Sequence, residues 1–201
     1  MLIATTNPGK VREIRRVLGP LPIELESLSD FPPVPEPEET GATFAENARL
    51  KAISYAQTFG VPVVAEDSGL EIDALDGRPG VHSARYPGAT YPDKFVNLYR
   101  ELAPHTRPWT ARYVSALAFV DGALGPGPLA YECLGTVEGE IAPAPRGTNG
   151  FGYDPIFFYP PYGATFGEVD DAKKLEVAHR GRAFRQFAEW LRLRLAGERQ
   201  Q

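Results

Sequence analysis

Val61-Pro62-Val63-Val64-Ala65 runs without interruption into Glu66-Asp67-Ser68-Gly69 and then Leu70-Glu71-Ile72-Asp73. The short apolar run reads as a buried strand. The acid pair falls at the strand's end, where α/β folds bind ligands, with a polar turn closed by Ser-Gly as the alternative; a second short strand follows over Leu70 to Asp73. Just upstream, residues 42–60 place Phe44, Ala48, Ala52, Tyr55, Ala56 and Phe59 at helical spacing, with Lys51 on the same stripe. A helix that feeds a buried strand is the repeating piece of an α/β fold.

The same alternation extends in both directions. Met1 to Thr5 reads as a first strand, and Val11, Ile14, Val17 and Leu18 as a helix stopped by Gly19-Pro20. Ile23 to Glu26 alternates like a half-buried strand. Phe31 to Gly41 holds four prolines and reads as an acidic, semi-rigid loop rather than a linker. Residues 76–92 are Gly/Pro-rich loop and 93–103 a helix. Tyr113 to Val120 is apolar on both faces, as a central strand is. Leu129, Tyr131, Cys133 and Val137 then alternate with Glu132, Thr136, Glu138 and Glu140, so a turn at Asp121 to Gly127 closes an antiparallel hairpin. Ile156 to Phe158 is a further strand, and residues 170–197 are helical with a break near Ala178 to Gly181. The class is α/β with a mixed sheet, and residues 1–201 read as one domain.

Composition narrows the function. The chain has 201 residues, 43% hydrophobic and 23% charged, which is globular and neither disordered nor fibrous. Its net charge of −5 argues against a nucleic-acid-binding face. No apolar run reaches the ~18 residues of a membrane span, so no membrane partner is expected. The single cysteine, Cys133, permits no intrachain disulfide. A cytoplasmic location is expected.

Four places carry chemistry. Thr5-Thr6-Asn7-Pro8-Gly9-Lys10 joins a strand to a helix N-terminus, where backbone N–H groups and the positive dipole end suit an anion; the alternative is a plain Asn-Pro-Gly cap. It is not the nucleotide-kinase phosphate loop, because the first glycine is missing and Val11 follows the lysine. Glu66 and Asp67 suit a hard cation such as Mg²⁺, which takes one or two carboxylates with phosphates and waters. Side chains alternate along a strand, so only one of the pair is expected on the ion. Gly150-Phe151-Gly152-Tyr153-Asp154 sets aromatic faces between glycines, a surface on which a nucleobase stacks. Lys174, His179 and Arg180 form a local cation cluster on an acidic chain. His82 and His105 read as surface residues.

Taken together and in order, these segments resemble the inosine triphosphate pyrophosphatase family. Thr5, Asn7 and Lys10 match its [ST]-x-N-x-x-K opening. Glu38-Glu39-Thr40-Gly41 and Thr43-Phe44-Ala45-Glu46-Asn47-Ala48 match its acidic loop and helix start. Glu66 to Leu70, Pro79 to Tyr86, Phe151 to Phe157, and Lys174 with His179-Arg180-Gly181 match four more motifs. One soft departure is Glu66, where many bacterial members have Asp.

The resemblance implies two α/β lobes around a long twisted mixed sheet with the active-site cleft between them, a homodimer and a Mg²⁺ requirement. It implies hydrolysis of ITP, dITP or XTP to the nucleoside monophosphate and pyrophosphate. It assigns phosphates to Thr5, Thr6, Asn7, Pro8, Gly9, Lys10 and Lys174. Glu39 and Asp67 would hold the metal, with Glu38 the alternative to Glu39, and Asp67 would also be the base. Ser68 would touch substrate. Phe151, Gly152, Tyr153, Asp154, His179 and Arg180 would form the base pocket, with Arg180, which only donates hydrogen bonds, facing a 6-oxo group. Lys51 and Glu66 are additional candidates. A non-catalytic nucleotide sensor and a phosphotransferase are the competing readings.

Overall fold

The computed structural model describes residues 1–122 and 129–198, and of Glu198 the backbone alone. In chain order the elements are β1 (Leu2–Ile3), α1 (Pro8–Leu18), β2 (Glu26–Ser27), α2 (Phe44–Phe59), β3 (Val63–Ile72), α3 (Tyr91–Leu102), β4 (Thr110–Val120), β5 (Leu129–Ile141), β6 (Phe157–Tyr159), β7 (Ala164–Thr165), α4 (Asp171–Val177) and α5 (His179–Glu198). The strands form one mixed sheet in the order β2-β1-β3-β4-β5-β6-β7. β1 runs parallel to β2 and β3, with Leu2 opposite Val63 and Ile3 opposite Val64. β5, β6 and β7 pair antiparallel, with Ile141 opposite Phe157. Of the expected turn at Asp121 to Gly127, residues 123–127 lie outside the described residues.

The chain divides into two compact units. The first comprises residues 1–67, 115–135 and 180–201, and its core gathers Ile3, Ile14, Leu18, Val64, Leu117, Phe119, Phe184 and Phe187. The second comprises residues 68–114 and 136–179, built around Leu70, Ile72, Leu98, Trp109, Tyr113, Val137, Phe157 and Phe166. β3, β4 and β5 each contribute residues to both units, and β3 passes from one to the other between Asp67 and Ser68. Among the described residues no helix is long and apolar enough to cross a membrane.

Two expectations change. The strand does not end at the acid pair: β3 is one ten-residue strand, with Glu66 and Asp67 buried in its middle. Both carboxylates find cationic partners inside, so nothing drives the chain to turn them out to water. The expected strand at Ile23 to Glu26 shrinks to Glu26–Ser27, because β1 offers only two residues to pair with it.

Helix ends follow local chemistry closely. Thr43 Oγ1 accepts from the Glu46 N–H, and Glu46 Oε2 accepts from the Thr43 N–H, a reciprocal capping box. Gly60 ends the helix at φ 65°, a left-handed conformation glycine adopts without strain. The C-terminal break is one residue, Ala178 (ψ 154°), fully buried; α5 begins at His179, so Gly181 lies in its first turn. Packing rather than glycine freedom fixes that bend.

The cap on α2 gives a check. Thr43→Ala should lower unfolding stability by about 1 kcal/mol, read from urea denaturation, whereas Thr43→Ser should leave it nearly unchanged.

Candidate active site

In the first unit, β3 presents its two adjacent acids in opposite directions, as strand alternation requires. Glu66 meets Arg180: Nε donates to Oε2 and Nη2 to Oε1, each at 2.9 Å. Arg180 Nη1 donates to Glu13 Oε2 at 2.5 Å, Ser115 Oγ donates to Glu66 Oε1 at 3.0 Å, and Lys10 Nζ stands 3.5 Å from Glu66 Oε2. Burial works against the Arg180 charge, and Glu66 and then Glu13 outweigh it.

Asp67 turns the other way. Lys51 Nζ donates to its Oδ1 at 3.1 Å and to Glu39 Oε1 at 2.9 Å, while Asn47 Nδ2 donates to Asp67 Oδ2 at 3.2 Å. Asn47 and Lys51 are four residues apart on α2, hence on one face. Asn47 Oδ1 also accepts from the Gly41 N–H, which ties the acidic loop to the helix. Glu39 is half-buried and paired with Lys51, whereas Glu38 is exposed.

The two lysines respond differently. Burial pushes the Lys10 ammonium down, and Glu66 only partly opposes it. Burial also acts against Lys51, but Asp67 and Glu39 more than offset it and move its pKa up. The Thr5–Lys10 segment is foremost a cap: Asn7 Oδ1 accepts from the Gly9 and Lys10 N–H groups, Thr5 Oγ1 accepts from the Asn7 N–H, and Pro8 opens the helix. Thr6, Asn7 and Pro8 are exposed at its tip.

In the second unit, Asp154 organises the aromatic loop. Its Oδ2 accepts from Lys174 Nζ at 2.6 Å and from the Phe151 N–H at 2.8 Å, and its Oδ1 from the Tyr113 hydroxyl at 3.3 Å. Gly150 sits at φ 71°, and a Cβ there would lie 2.1 Å from Asp154 Oδ2, so only glycine lets the loop close on this carboxylate. Lys174 Nζ lies 4.6 Å from the Phe151 ring centroid. His179 stacks on Tyr113 at 4.6 Å. Burial, with Asp154 next, keeps the Tyr113 phenol well above its ordinary pKa, so it serves as a neutral donor. Tyr153 is buried and its hydroxyl donates to Ser83 O. Gly152 and Ser68 are half-buried, and His82 and His105 are exposed as expected.

Arg180 and Lys174 are both held by buried acids. All three guanidinium nitrogens of Arg180 donate to buried carboxylates. Lys174 stands with Phe151 and Asp154, which puts its charge among the aromatic loop residues. Glu13, Asn47, Tyr113 and Ser115 went unread. Glu13 had a signal, an acid beside Ile14 on the buried side of α1. Asn47 lay inside a quoted motif without a role. Tyr113 and Ser115 look like ordinary strand residues.

Among the described residues, no set of three or more His, Cys, Asp or Glu side chains converges on a metal position. Glu39 and Asp67 do converge on one cation, the Lys51 ammonium. Two hard oxygen donors facing one point fit Mg²⁺, which completes its shell with phosphate and water.

The first unit thus carries a buried pairing of lysines and carboxylates, and the second an aromatic loop closed on an acid and a lysine. The chain belongs to the Ham1 family, whose model matches residues 1–190. It is 48% identical over 189 residues to a dITP/XTP pyrophosphatase of Exiguobacterium sp., covering 93% of this chain and 94% of that protein. It is 46% identical over 208 residues to the dITP/XTP pyrophosphatase of Syntrophobacter fumaroxidans, covering 98% of this chain and 87% of that one. The solved HAM1 protein from Coxiella burnetii superposes with a TM-score of 0.85 at 40% identity, covering 94% of this chain and 96% of that one.

The Arg180 pairing has a direct check. Arg180→Met leaves Glu13 and Glu66 buried without their main cation, so unfolding stability should fall by about 3–5 kcal/mol in urea denaturation. A variant as stable as the parent would contradict the anchoring role.

Proposed function

We propose that this chain hydrolyses purine nucleoside triphosphates bearing hypoxanthine or xanthine (ITP, dITP and XTP) to the monophosphate and pyrophosphate. The observation that carries the reading is the convergence of Glu39 and Asp67 on a single cation, beside Lys10 at a helix N-terminus. The names of the curated relatives supply the substrate class.

Glu39 and Asp67 would hold Mg²⁺, which supplies positive charge against the triphosphate and the departing pyrophosphate. Lys10 adds a second positive charge for phosphate oxygens. Asp67 orients water and takes its proton. Asn47 on Oδ2 fixes the plane of that carboxylate, so its other oxygen keeps one direction. Phe151 offers the stacking face. The Lys174 ammonium, 4.6 Å from that ring's centroid, can only donate. An ammonium accepts nothing, so it favours a 6-oxo group over the 6-amino group of adenine, which leaves a buried donor facing a donor. The same reading carries a homodimer and a cytoplasmic location, the first checked by a two-chain mass in sedimentation.

With Mg²⁺, ITP, dITP and XTP should each release pyrophosphate and no orthophosphate, and chelation should abolish turnover. Lys174→Met should reduce the ITP/ATP ratio of kcat/KM by ~10- to 100-fold, the scale of one charge-assisted hydrogen bond. Orthophosphate as the product, or tight ITP binding without turnover, would contradict the reading; the second result would mark a sensor.

A further inference from the structure

Lys51 reaches Asp67 from α2 one turn beyond Asn47, and the two side chains divide the carboxylate between them, Oδ1 to Lys51 and Oδ2 to Asn47. The same ammonium holds Glu39 at 2.9 Å. It therefore stands at the point where the two carboxylates meet, the point a divalent cation on those oxygens would take. An ammonium and a divalent ion cannot share it, because like charges a few ångströms apart repel strongly away from bulk water. The lysine stem is flexible and its charge compact. Its side chain is only 13% exposed, so leaving the carboxylates for an unpaired position is costly and leaving them for another anion is not. Lys10 lies within electrostatic reach of Lys51, so an anion drawn to one is drawn to both.

We propose that Lys51 is an exchangeable internal cation: in the substrate-free protein it holds Glu39 and Asp67 together, and it yields them to a divalent cation only when a polyphosphate arrives to take its ammonium. The inference rests on the reading of Glu39 and Asp67 as metal ligands. Lys51 is a positioning residue before substrate binds, keeping two acids from repelling one another, and a phosphate contact afterwards. Metal and polyphosphate then bind with positive coupling, each improving the other's affinity by the same factor. The metal alone meets a site already neutralised from within.

The test is a calorimetric titration of the nucleotide-free protein with Mn²⁺ alone, and separately with inorganic tripolyphosphate alone. Lys51→Met should bind Mn²⁺ ~10-fold or more tightly than the parent and tripolyphosphate ~10-fold or more weakly. Lys51→Arg, which keeps the charge, should bind Mn²⁺ as weakly as the parent, and it carries the test if the methionine variant does not fold. Mn²⁺ affinity unchanged or lowered in Lys51→Met, or raised in Lys51→Arg, overturns the exchange. Asp67→Asn separates the two levels. If it abolishes Mn²⁺ binding while Lys51→Met shows no gain, the metal reading stands and the exchange falls. If it leaves Mn²⁺ binding intact, the ligand assignment falls and the exchange with it.

Discussion

Arg180 is 2% exposed and gives Nε and Nη2 to Glu66 and Nη1 to Glu13. A guanidinium this deep is tolerable only when fully paired. Meeting that condition draws α1, β3 and α5 of the first unit onto one point. The consequence reaches Asp67 by the geometry of a strand alone. Once Glu66 is locked toward Arg180, the next side chain must face the other way, where α2 offers Lys51 and Asn47. Two adjacent acids of nearly identical chemistry thus acquire different work: one is a buried anchor, the other is aimed.

The second unit solves a similar problem with one acid. Asp154 gathers an ammonium, a phenol and a backbone N–H, and Gly150 at positive φ makes room for the loop to fold over it. Phe151 is tied to that carboxylate through its own N–H, and the Lys174 ammonium lies against its ring.

The α/β class and most element positions were readable because apolar periodicity and capping residues are local. The apolar stripe of α2, the Gly19-Pro20 stop after α1 and the alternation of Leu129 to Val137 needed no tertiary information. The continuity of β3 through Glu66 and Asp67 was not legible, because an acid pair followed by Ser-Gly reads as the end of a strand unless the distant Arg180 and Lys51 are known to neutralise it. Glu39 and Asp67 were named and the structure brings them together on Lys51. The pairing of Arg180 with Glu13 was not legible, because the two stand 167 positions apart and no local pattern joins them. Lys174 was legible as one of a local cation cluster but not as the partner of Asp154, a contact across 20 positions.

The central claim is that the neighbours Glu66 and Asp67 hold separate offices, anchor and chemistry. It is tested most directly by measuring unfolding free energy and ITP turnover side by side in Glu66→Gln and Asp67→Asn. Glu66→Gln should lose about 3–5 kcal/mol of stability, the cost of breaking a buried ion pair. Asp67→Asn should stay within about 1–2 kcal/mol of the parent, since the amide oxygen still accepts a hydrogen bond, yet lose ~10²-fold or more in kcat, the scale of general-base removal. If the two variants lose stability and turnover in the same proportion, the strand does not divide these roles and the account is wrong.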